Sequence, residues 1–464
     1  MTGSRRLRHP VRMTSIDHNY AELRAAVRGS VVLPGDEGWE TARSAWNLSV
    51  DQQPAAVVDA AARDDVQAAV KYAARAGLRV APQSTGHGAE ALGVLDDALL
   101  LKTSRMRGVR VDPERGTAHA EAGARAGDVA AAAGEQGLAA VLGLSSTVGV
   151  TGLALAGGIG WLSRRHGLAA DNVSALEVVL ASGEIGRVDA ANHPDLFWAL
   201  RGGGGRSAIV TSLELRAYQL GELYGGMLVW AAERATDVLA LFRQLTLDAP
   251  DALSLVLRII SVPDIDGPPP PLRGRKIATL TAVNVGGEPD CMPQLRSLGD
   301  ALADTFKPIE PAELVRVAGD PEDPAPARGG GFMLDAISEE TVERLAQAVG
   351  SDALAPLTVV ELRHLGGALA NPPDGHGALG ALSAPYSVFA GGMADSPTSG
   401  AAVDRALDAL ADTLEPWVAP QALLSSARAG TDPANGFSAE TWTRLRAIKR
   451  EYDPDGLILS NREP

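Results

Sequence analysis

One histidine of this chain stands among small residues, in Gln83-Ser84-Thr85-Gly86-His87-Gly88, just after an apolar stretch ending at Val80 and Pro82. Small residues in such a turn let backbone N–H groups converge on an anion, and the imidazole adds a nucleophile or a base. Taken alone the segment reads equally as a simple turn with a structural histidine. A second run is denser: Gly143-Leu144-Ser145-Ser146-Thr147-Val148-Gly149-Val150-Thr151-Gly152, continuing to Gly157-Gly158-Ile159-Gly160. Each glycine costs about 0.5–1 kcal/mol in a regular element relative to alanine, so such a density implies a need for close backbone approach. A large flat ligand carrying phosphates would supply that need. The spacing fits neither a Rossmann fingerprint nor a P-loop, since no acidic residue follows about twenty positions on and no Gly-Lys-Ser/Thr occurs. A third group is Glu361-Leu362-Arg363-His364, where strand alternation sets Glu361 and Arg363 on one face and Leu362 and His364 on the other. Tyr386 stands on a neighbouring apolar run. Each of these four reads either as a proton-handling group or as a packing or surface residue.

The elements that must position these groups belong to a chain of 464 residues, long enough for more than one core. Hydrophobic content of 45% with 21% charged residues excludes disorder as the general state. A net charge of −15 disfavours nucleic acid or an anionic membrane as partner of the whole molecule. The single cysteine, Cys291, excludes an internal disulfide and a thiol metal cluster, so no metal site is expected. The opening MTGSRRLRHPVRM is basic but lacks the apolar run of a signal peptide, Met13 is an alternative start, and no apolar run is long enough for a spanning helix. A cytoplasmic enzyme is the expectation.

Val66, Ala69, Val70 and Ala73 form a helical stripe that stops at Gly77. Strands are expected near Leu78–Val80, Leu99–Leu101, Val109–Val111, Leu176–Val188 as a strand pair, and Ala208–Leu215, with a helix at Pro194–Leu200. After about Tyr218 the glycine loops thin out. Strands near Met227–Ala231, Leu253–Ile260, Ile277–Val285, Leu357–Leu362 and Tyr386–Ala390 alternate with helices near Ala235–Leu245, Met292–Ala303, Glu339–Val349 and Ala401–Leu414. Pro268–Pro271 and Asp320–Gly331 read as loops or lids, and Ser438–Arg450 as a last helix. The expected fold class is α+β.

The ordered series Gln83–Gly88, Val148-Gly149-Val150, Gly157-Gly158-Ile159-Gly160-Trp161-Leu162-Ser163-Arg164, Gly167–Val173, Asp195–Gly205 and Ile209-Val210-Thr211 resembles FAD-linked oxidoreductases. The group is that of vanillyl-alcohol oxidase and p-cresol methylhydroxylase, and in particular its berberine-bridge-enzyme-like members. The likeness runs from about Trp46 to Tyr218 and resumes at Lys449–Pro454. It implies a two-subdomain FAD-binding domain of the p-cresol methylhydroxylase type, with an inserted substrate domain whose antiparallel sheet, covered by helices, roofs the isoalloxazine. The organisation this suggests is an N-terminal extension over 1–45, the FAD-binding domain over 46–218, the substrate domain over 219–415 and a returning segment over 416–464.

The resemblance implies that Gln83, Ser84, Thr85, Gly86, His87, Gly88, Ser145, Ser146, Val148, Gly149, Gly152, Gly157, Gly158, Gly160, Ile209 and Asn461 contact FAD, with His87 bonded to the flavin 8α carbon. Many relatives add a cysteinyl link where this chain has Ser145, so any attachment here is single. Plant relatives place a histidine at the position of Leu153. Where relatives read Gly-Gly-Asn-Phe-Gly, this chain has Gly204-Gly205-Arg206-Ser207-Ala208, and Arg206 either pairs with the pyrophosphate or is solvated. Ser425-Ser426 stand where many relatives place an asparagine and a catalytic tyrosine. Candidates for the missing base are then Tyr386, Glu361, Arg363 and His364. The other histidines of this lobe, His166 and His193, read as a solvated turn and a helix start. The expected function is an FAD-dependent oxidase that takes a hydride from an alcohol, sugar or natural-product carbon and passes electrons to oxygen. The alternatives are a dehydrogenase with another acceptor, or a catalytically decayed FAD-binding relative.

Overall fold

The computed structural model describes residues 19–266 and 269–461, so the basic leader and Pro268 lie outside the described residues. Three sheets organise the chain. The first contains β1 (Ser30–Val32), β2 (Ala56–Asp59), β3 (Arg79–Gln83) and β4 (Ala98–Lys102), in the order β1-β2-β4-β3. Here β2, β4 and β3 run parallel, as the helix Arg63–Ala76 crossing between β2 and β3 requires. That helix buries Val66, Ala69, Val70 and Ala73 completely and ends where Gly77 turns left-handed at φ 69°.

The second sheet is antiparallel: β5 (Val109–Asp112), β6 (Thr117–Glu121), β7 (Leu138–Ala140), β8 (Val173–Val179), β9 (Ile185–Asp189) and β10 (Ile209–Gln219). Its long strand β10 lies between β6 and β8 and also pairs with β7. The chain then crosses to a third sheet within three residues.

That sheet is antiparallel and has eight strands: β11 (Leu223–Ala231), β12 (Leu253–Ser261), β13 (Lys276–Val285), β14 (Ala303–Asp304), β15 (Lys307–Ile309), β16 (Ala327–Leu334), β17 (Val359–His364) and β18 (Tyr386–Met393). Alternation sorts its two faces. Leu255, Leu257, Leu280, Leu362 and Val388 pack on one side with Phe242, Leu345 and Leu410 from the helices Ala235–Leu247, Glu339–Val349 and Pro397–Leu414. Val256, Arg258, Glu361, Arg363 and Ser387 occupy the opposite face. The fold is thus mixed α+β, with helices on one side of an antiparallel sheet.

Two readings of the sequence need correction here. The helix expected over Met292–Ala303 stops at Arg296, and Ala303 enters β14. The loop expected over Asp320–Gly331 ends early, because Ala327–Gly331 form the first part of β16, paired with β18. Three successive glycines hid that strand: Gly331 lies so close to β18 that a Cβ on it would stand 2.1 Å from the Val388 carbonyl oxygen.

Both chain ends return to the first sheet. Ile458 bridges β3 in parallel, with Val80 N–H donating to the Leu457 carbonyl at 2.8 Å and Leu459 N–H to the Val80 carbonyl at 2.8 Å. The turn before it is held by a buried ion pair at the end of the helix Ala439–Tyr452. Lys449 Nζ lies 2.6 Å from Asp453 Oδ2 and also donates to the Arg206 and Ile458 carbonyls, each at 2.7 Å. Asp453 accepts as well from the Leu457 and Ile458 amides. Removing the cation leaves a buried carboxylate without its counter-charge, at a cost of about 3–5 kcal/mol. Lys449→Met should therefore lower the denaturant midpoint with an unchanged m-value, whereas a midpoint equal to that of the parent protein would show that the pair holds nothing.

Candidate functional site

The strand β3 delivers the first glycine loop and the turn ahead of the helix Val150–Leu155 delivers the second, and the two touch. Gly149 lies against the first loop so closely that a Cβ would stand 2.6 Å from Ser84 Oγ. Gly160, further along, leaves only 1.6 Å to the Leu142 carbonyl oxygen, so no side chain fits. Backbone bonds from Ala126 N–H to the Val148 carbonyl at 2.9 Å and Gly127 N–H to the Ser146 carbonyl at 2.8 Å fasten the second loop to its neighbour. From the returning end, Asn461 Nδ2 donates to the Gly88 carbonyl at 2.9 Å.

His87 sits where these loops meet. Its ring stacks on Trp46, with centroids 4.0 Å apart and planes 17° from parallel. Its Nε2 lies 3.1 Å from Thr147 Oγ1, and Ser145 Oγ is 3.2 Å from the same hydroxyl. Burial pushes the imidazole pKa down to about 4. A hydrogen bond to the Thr147 backbone and the charge of Asp320 pull it upward, and the charge of Arg125 pushes it further down, but burial dominates. His87 is thus a neutral imidazole at ordinary pH.

The third sheet places a charged cluster near this histidine. Arg258 on β12 donates from Nε to Glu361 Oε2 at 2.6 Å, and from Nη1 to Asp320 Oδ1 at 2.7 Å and the Ala318 carbonyl at 2.8 Å. Arg363 Nε donates to the other Glu361 oxygen. Burial pushes the Glu361 carboxyl up, but Arg363 and Arg258 outweigh it and hold the group below the ordinary range. Its residue is only 2% exposed. Glu361 is therefore a fixed anion with both oxygens engaged.

The segment after Ala318 straps the two lobes together. Ser146 Oγ donates to Glu322 Oε1 at 2.8 Å, Leu48 N–H donates to the Ala325 carbonyl at 3.1 Å, and Ser49 Oγ to the Ala327 carbonyl at 2.9 Å. A second pin is Arg164, whose guanidinium donates to the carbonyls of Leu253 at 2.8 Å, Ala249 at 2.9 Å and Pro250 at 3.2 Å, and also to that of Leu365.

Two of the four proton-handling candidates lie on the wrong face. Tyr386 is buried among Phe242 and the other residues of the helix-covered side, with its hydroxyl 2.8 Å from Thr246 Oγ1. His364 stacks near Tyr386, accepts from Arg164 Nη1 at 3.1 Å, and is held by burial and that cation at a pKa of about 3. Strand alternation already separated His364 from Glu361; the pairing of His364 with Tyr386 across β17 and β18 carries Tyr386 to the same side. Ile209 is likewise a core residue, packed with Val80, Val179 and Ile458.

Other placements differ from expectation. Arg206 is not solvated: it is 3% exposed, with its guanidinium 4.9 Å from the Trp442 ring centroid and Nε donating to the Gly203 carbonyl at 2.6 Å. His166 is not a solvated turn residue but stacks on Tyr218 at 3.9 Å. His193 stands as expected at the N-cap position of the helix Pro194–Leu200, with φ 54° and no side-chain bond to that helix. Ser426 Oγ donates to the Leu423 carbonyl at 3.2 Å, and the following residue bridges Gly331. Gly157 and Gly158 are left-handed, at φ 101° and 78°. Gly152 faces open space.

Sequence reasoning passed over Trp46, Thr147, Arg258 and Asp320. Arg258 carried a readable signal, a lone cation within the apolar run Leu253–Ile260. Thr147 lay within the second loop beside named candidates, whereas Trp46 and Asp320 are brought to the site only by folding.

These residues fit a large dinucleotide. Trp46 Nε1, Gln83 Nε2, Ser84 Oγ and Thr151 Oγ1 are buried, line or abut the two loops, and find no hydrogen-bond partner among the described residues. Groups of this kind are costly unless a ligand bonds them. Two glycine loops in contact, a neutral histidine at their junction and a charged sheet face whose Asp320 acts on that histidine fit a flavin-dependent oxidoreductase with an inserted lobe. Residues 54–189 match the family model of the FAD binding domain. The chain is 28% identical to the (R)-6-hydroxynicotine oxidase of Paenarthrobacter nicotinovorans over 458 residues, 94% of this chain and 96% of that protein. It is 38% identical to the xylooligosaccharide oxidase of Thermothelomyces thermophilus over 183 residues, covering 39% and 37% of the two chains. Among solved structures, 6-hydroxy-D-nicotine oxidase from Arthrobacter nicotinovorans superposes with a TM-score of 0.79 at 25% identity, over 93% of this chain and 96% of that one. A berberine-bridge-enzyme-like protein of Physcomitrella patens gives 0.82 at 20% identity over 95% and 98%. The chain carries an FAD binding domain and is similar over most of its length to FAD-linked oxidases of the vanillyl-alcohol oxidase and p-cresol methylhydroxylase family.

Two stability tests follow from the site's electrostatics. Unfolded, His87 and His364 take up protons near their ordinary value of 6.5; folded, only near 4 and 3. Between pH 6.5 and about 4 the unfolded state therefore binds more protons, and stability falls as pH falls. His364→Gln should flatten that decline in a melting-temperature profile; slopes equal to those of the parent would refute the assignment. Arg258→Met, which leaves Asp320 and one Glu361 oxygen without their cation, should cost about 3–5 kcal/mol, and adding Glu361→Gln should recover part of it. Strict additivity in the double-mutant cycle would show that the two side chains are uncoupled.

Proposed function

We propose that this FAD-linked oxidoreductase is an oxidase whose flavin is attached through His87 alone, and that it removes a hydride from the carbon bearing a hydroxyl or amino group of a small molecule. The observation that carries the reading is the neutral imidazole of His87 at the junction of the two glycine loops, beside a serine rather than a second nucleophile at 145. When bound, FAD supplies the hydride acceptor. The chain's own part is to hold and orient: the buried polar groups of both loops take the cofactor, and Asn461 fixes the backbone at Gly88.

On the roofing face, Glu361 serves as an ionised anchor that aims Arg258 and Arg363, and Arg363, partly exposed, meets the substrate. A carboxylate held by two guanidiniums is a poor general base. Substrate deprotonation by Glu361 is accordingly not part of the proposal. The full-length similarity to an oxidase named for 6-hydroxynicotine favours a cyclic amine over a sugar, since the similarity to the named xylooligosaccharide oxidase spans only 39% of this chain.

Protein purified from flavin-replete cells should be yellow and stay yellow after acid precipitation. His87→Ala should bind flavin that acid releases completely. Anaerobic mixing with cyclic amines, hydroxylated pyridines and oligosaccharides should bleach the flavin with a member of the first two classes, and admitting oxygen should restore it with hydrogen peroxide as product. Bleaching only by oligosaccharides would overturn the amine reading. Reoxidation too slow for turnover would favour the dehydrogenase alternative.

A further inference from the structure

His87 offers two ring nitrogens, and only one arrangement of its proton leaves a lone pair for bond formation at the nitrogen away from Thr147. The Thr147 hydroxyl lies 3.1 Å from Nε2, and a hydroxyl can either donate or accept. Ser145 Oγ, 3.2 Å from the same hydroxyl, offers an acceptor for the Thr147 proton and so leaves the Thr147 oxygen to accept from an Nε2–H. Trp46 lies flat against the imidazole, with centroids 4.0 Å apart and planes 17° from parallel, which favours one orientation of the ring plane. The backbone of Trp46 is itself held in place by a bond from its amide N–H to the Thr85 carbonyl at 3.0 Å, within the same loop as His87.

We propose that Thr147 and Trp46 are positioning residues for flavin attachment: Thr147 holds His87 as the Nε2–H tautomer, and Trp46 fixes the ring so that the Nδ1 lone pair forms the bond to the flavin 8α carbon. The proposal rests on the reading that His87 is the point of attachment. The bond formed joins Nδ1 to that carbon. The carbon loses one hydrogen, the imidazole gives up its Nε2 proton past the Thr147 hydroxyl, and the two electrons left on the flavin pass to dioxygen, which leaves with both protons as hydrogen peroxide. Arg125 and Asp320 are the charged groups that act on the ring, and their opposed effects leave burial to keep it neutral.

The test separates this proposal from its foundation. Protein produced in riboflavin-starved cells is mixed with FAD in air, and non-covalent binding and acid-stable flavin are followed separately in time. Thr147→Val keeps the side-chain shape without the hydroxyl. It should bind FAD to the same stoichiometry yet form the covalent bond about tenfold or more slowly, the size of effect that a lost proton relay produces. Thr147→Ser should recover the rate to within about twofold. Trp46→Leu should slow attachment as well, again with binding retained. Attachment in Thr147→Val at the parent rate, while His87→Ala forms none, would overturn the role of Thr147 and leave the attachment site standing. Acid-stable flavin in His87→Ala would overturn the foundation. Should Thr147→Val not fold, nitrogen-15 NMR of the histidine-labelled parent protein before FAD is added decides the matter. The Nε2–H form of His87 is expected, and the Nδ1–H form would refute the proposal.

Discussion

A buried charge must be matched where it stands, and the whole arrangement of this molecule hangs on one such match, the contact of Arg258 with Glu361 and Asp320. Glu361 comes from a central strand of the third sheet, Arg258 from its neighbour, and Asp320 from the strap that reaches over to the cofactor loops. None of the three can leave water unless the other two are in place. Their meeting therefore fixes how the strap lies, and the strap ties Ser146, Leu48 and Ser49 to the substrate lobe.

Burial then sets the chemistry. The same burial that demands a partner for each ion drives His87 to the neutral form, since a lone imidazolium there has no adequate counter-charge. Asp320 illustrates the balance. It lies near enough to raise the affinity of His87 for a proton, but it is committed to Arg258, so its pull is too weak to restore the charge. A neutral imidazole at His87 and an ionised, doubly bonded Glu361 are thus two results of burial at one seam. Arg164 secures the opposite side of that seam by satisfying backbone carbonyls at the ends of elements in the third sheet's lobe.

Much of this was legible in the order of residues. The glycine loops announced a close backbone approach, the alternation along Glu361–His364 assigned faces correctly, and the change of texture after Tyr218 falls where the chain leaves the second sheet. The failures have physical causes. Gly329–Gly331 look like a loop because glycine lacks strand preference, yet close packing against β18 and Arg428 makes them a strand. Arg206 looks like a surface or phosphate-binding cation, yet two aromatic rings over 200 residues away, Phe437 just ahead of the last helix and Trp442 on it, give it an apolar bed.

What the sequence by itself determined is which side chains are available and which share a face, because the periods of helix and strand are local properties of the backbone. It supplied the two glycine loops and the expectation of FAD. Only the tertiary structure decided what surrounds each group. Trp46 and Thr147 flank His87 from 41 residues before it and 60 after it in the chain, and Tyr386 is withdrawn from the site by its pairing with His364. Proton affinity and orientation depend on those neighbours, and neighbours distant in sequence are set by packing, which no local pattern records.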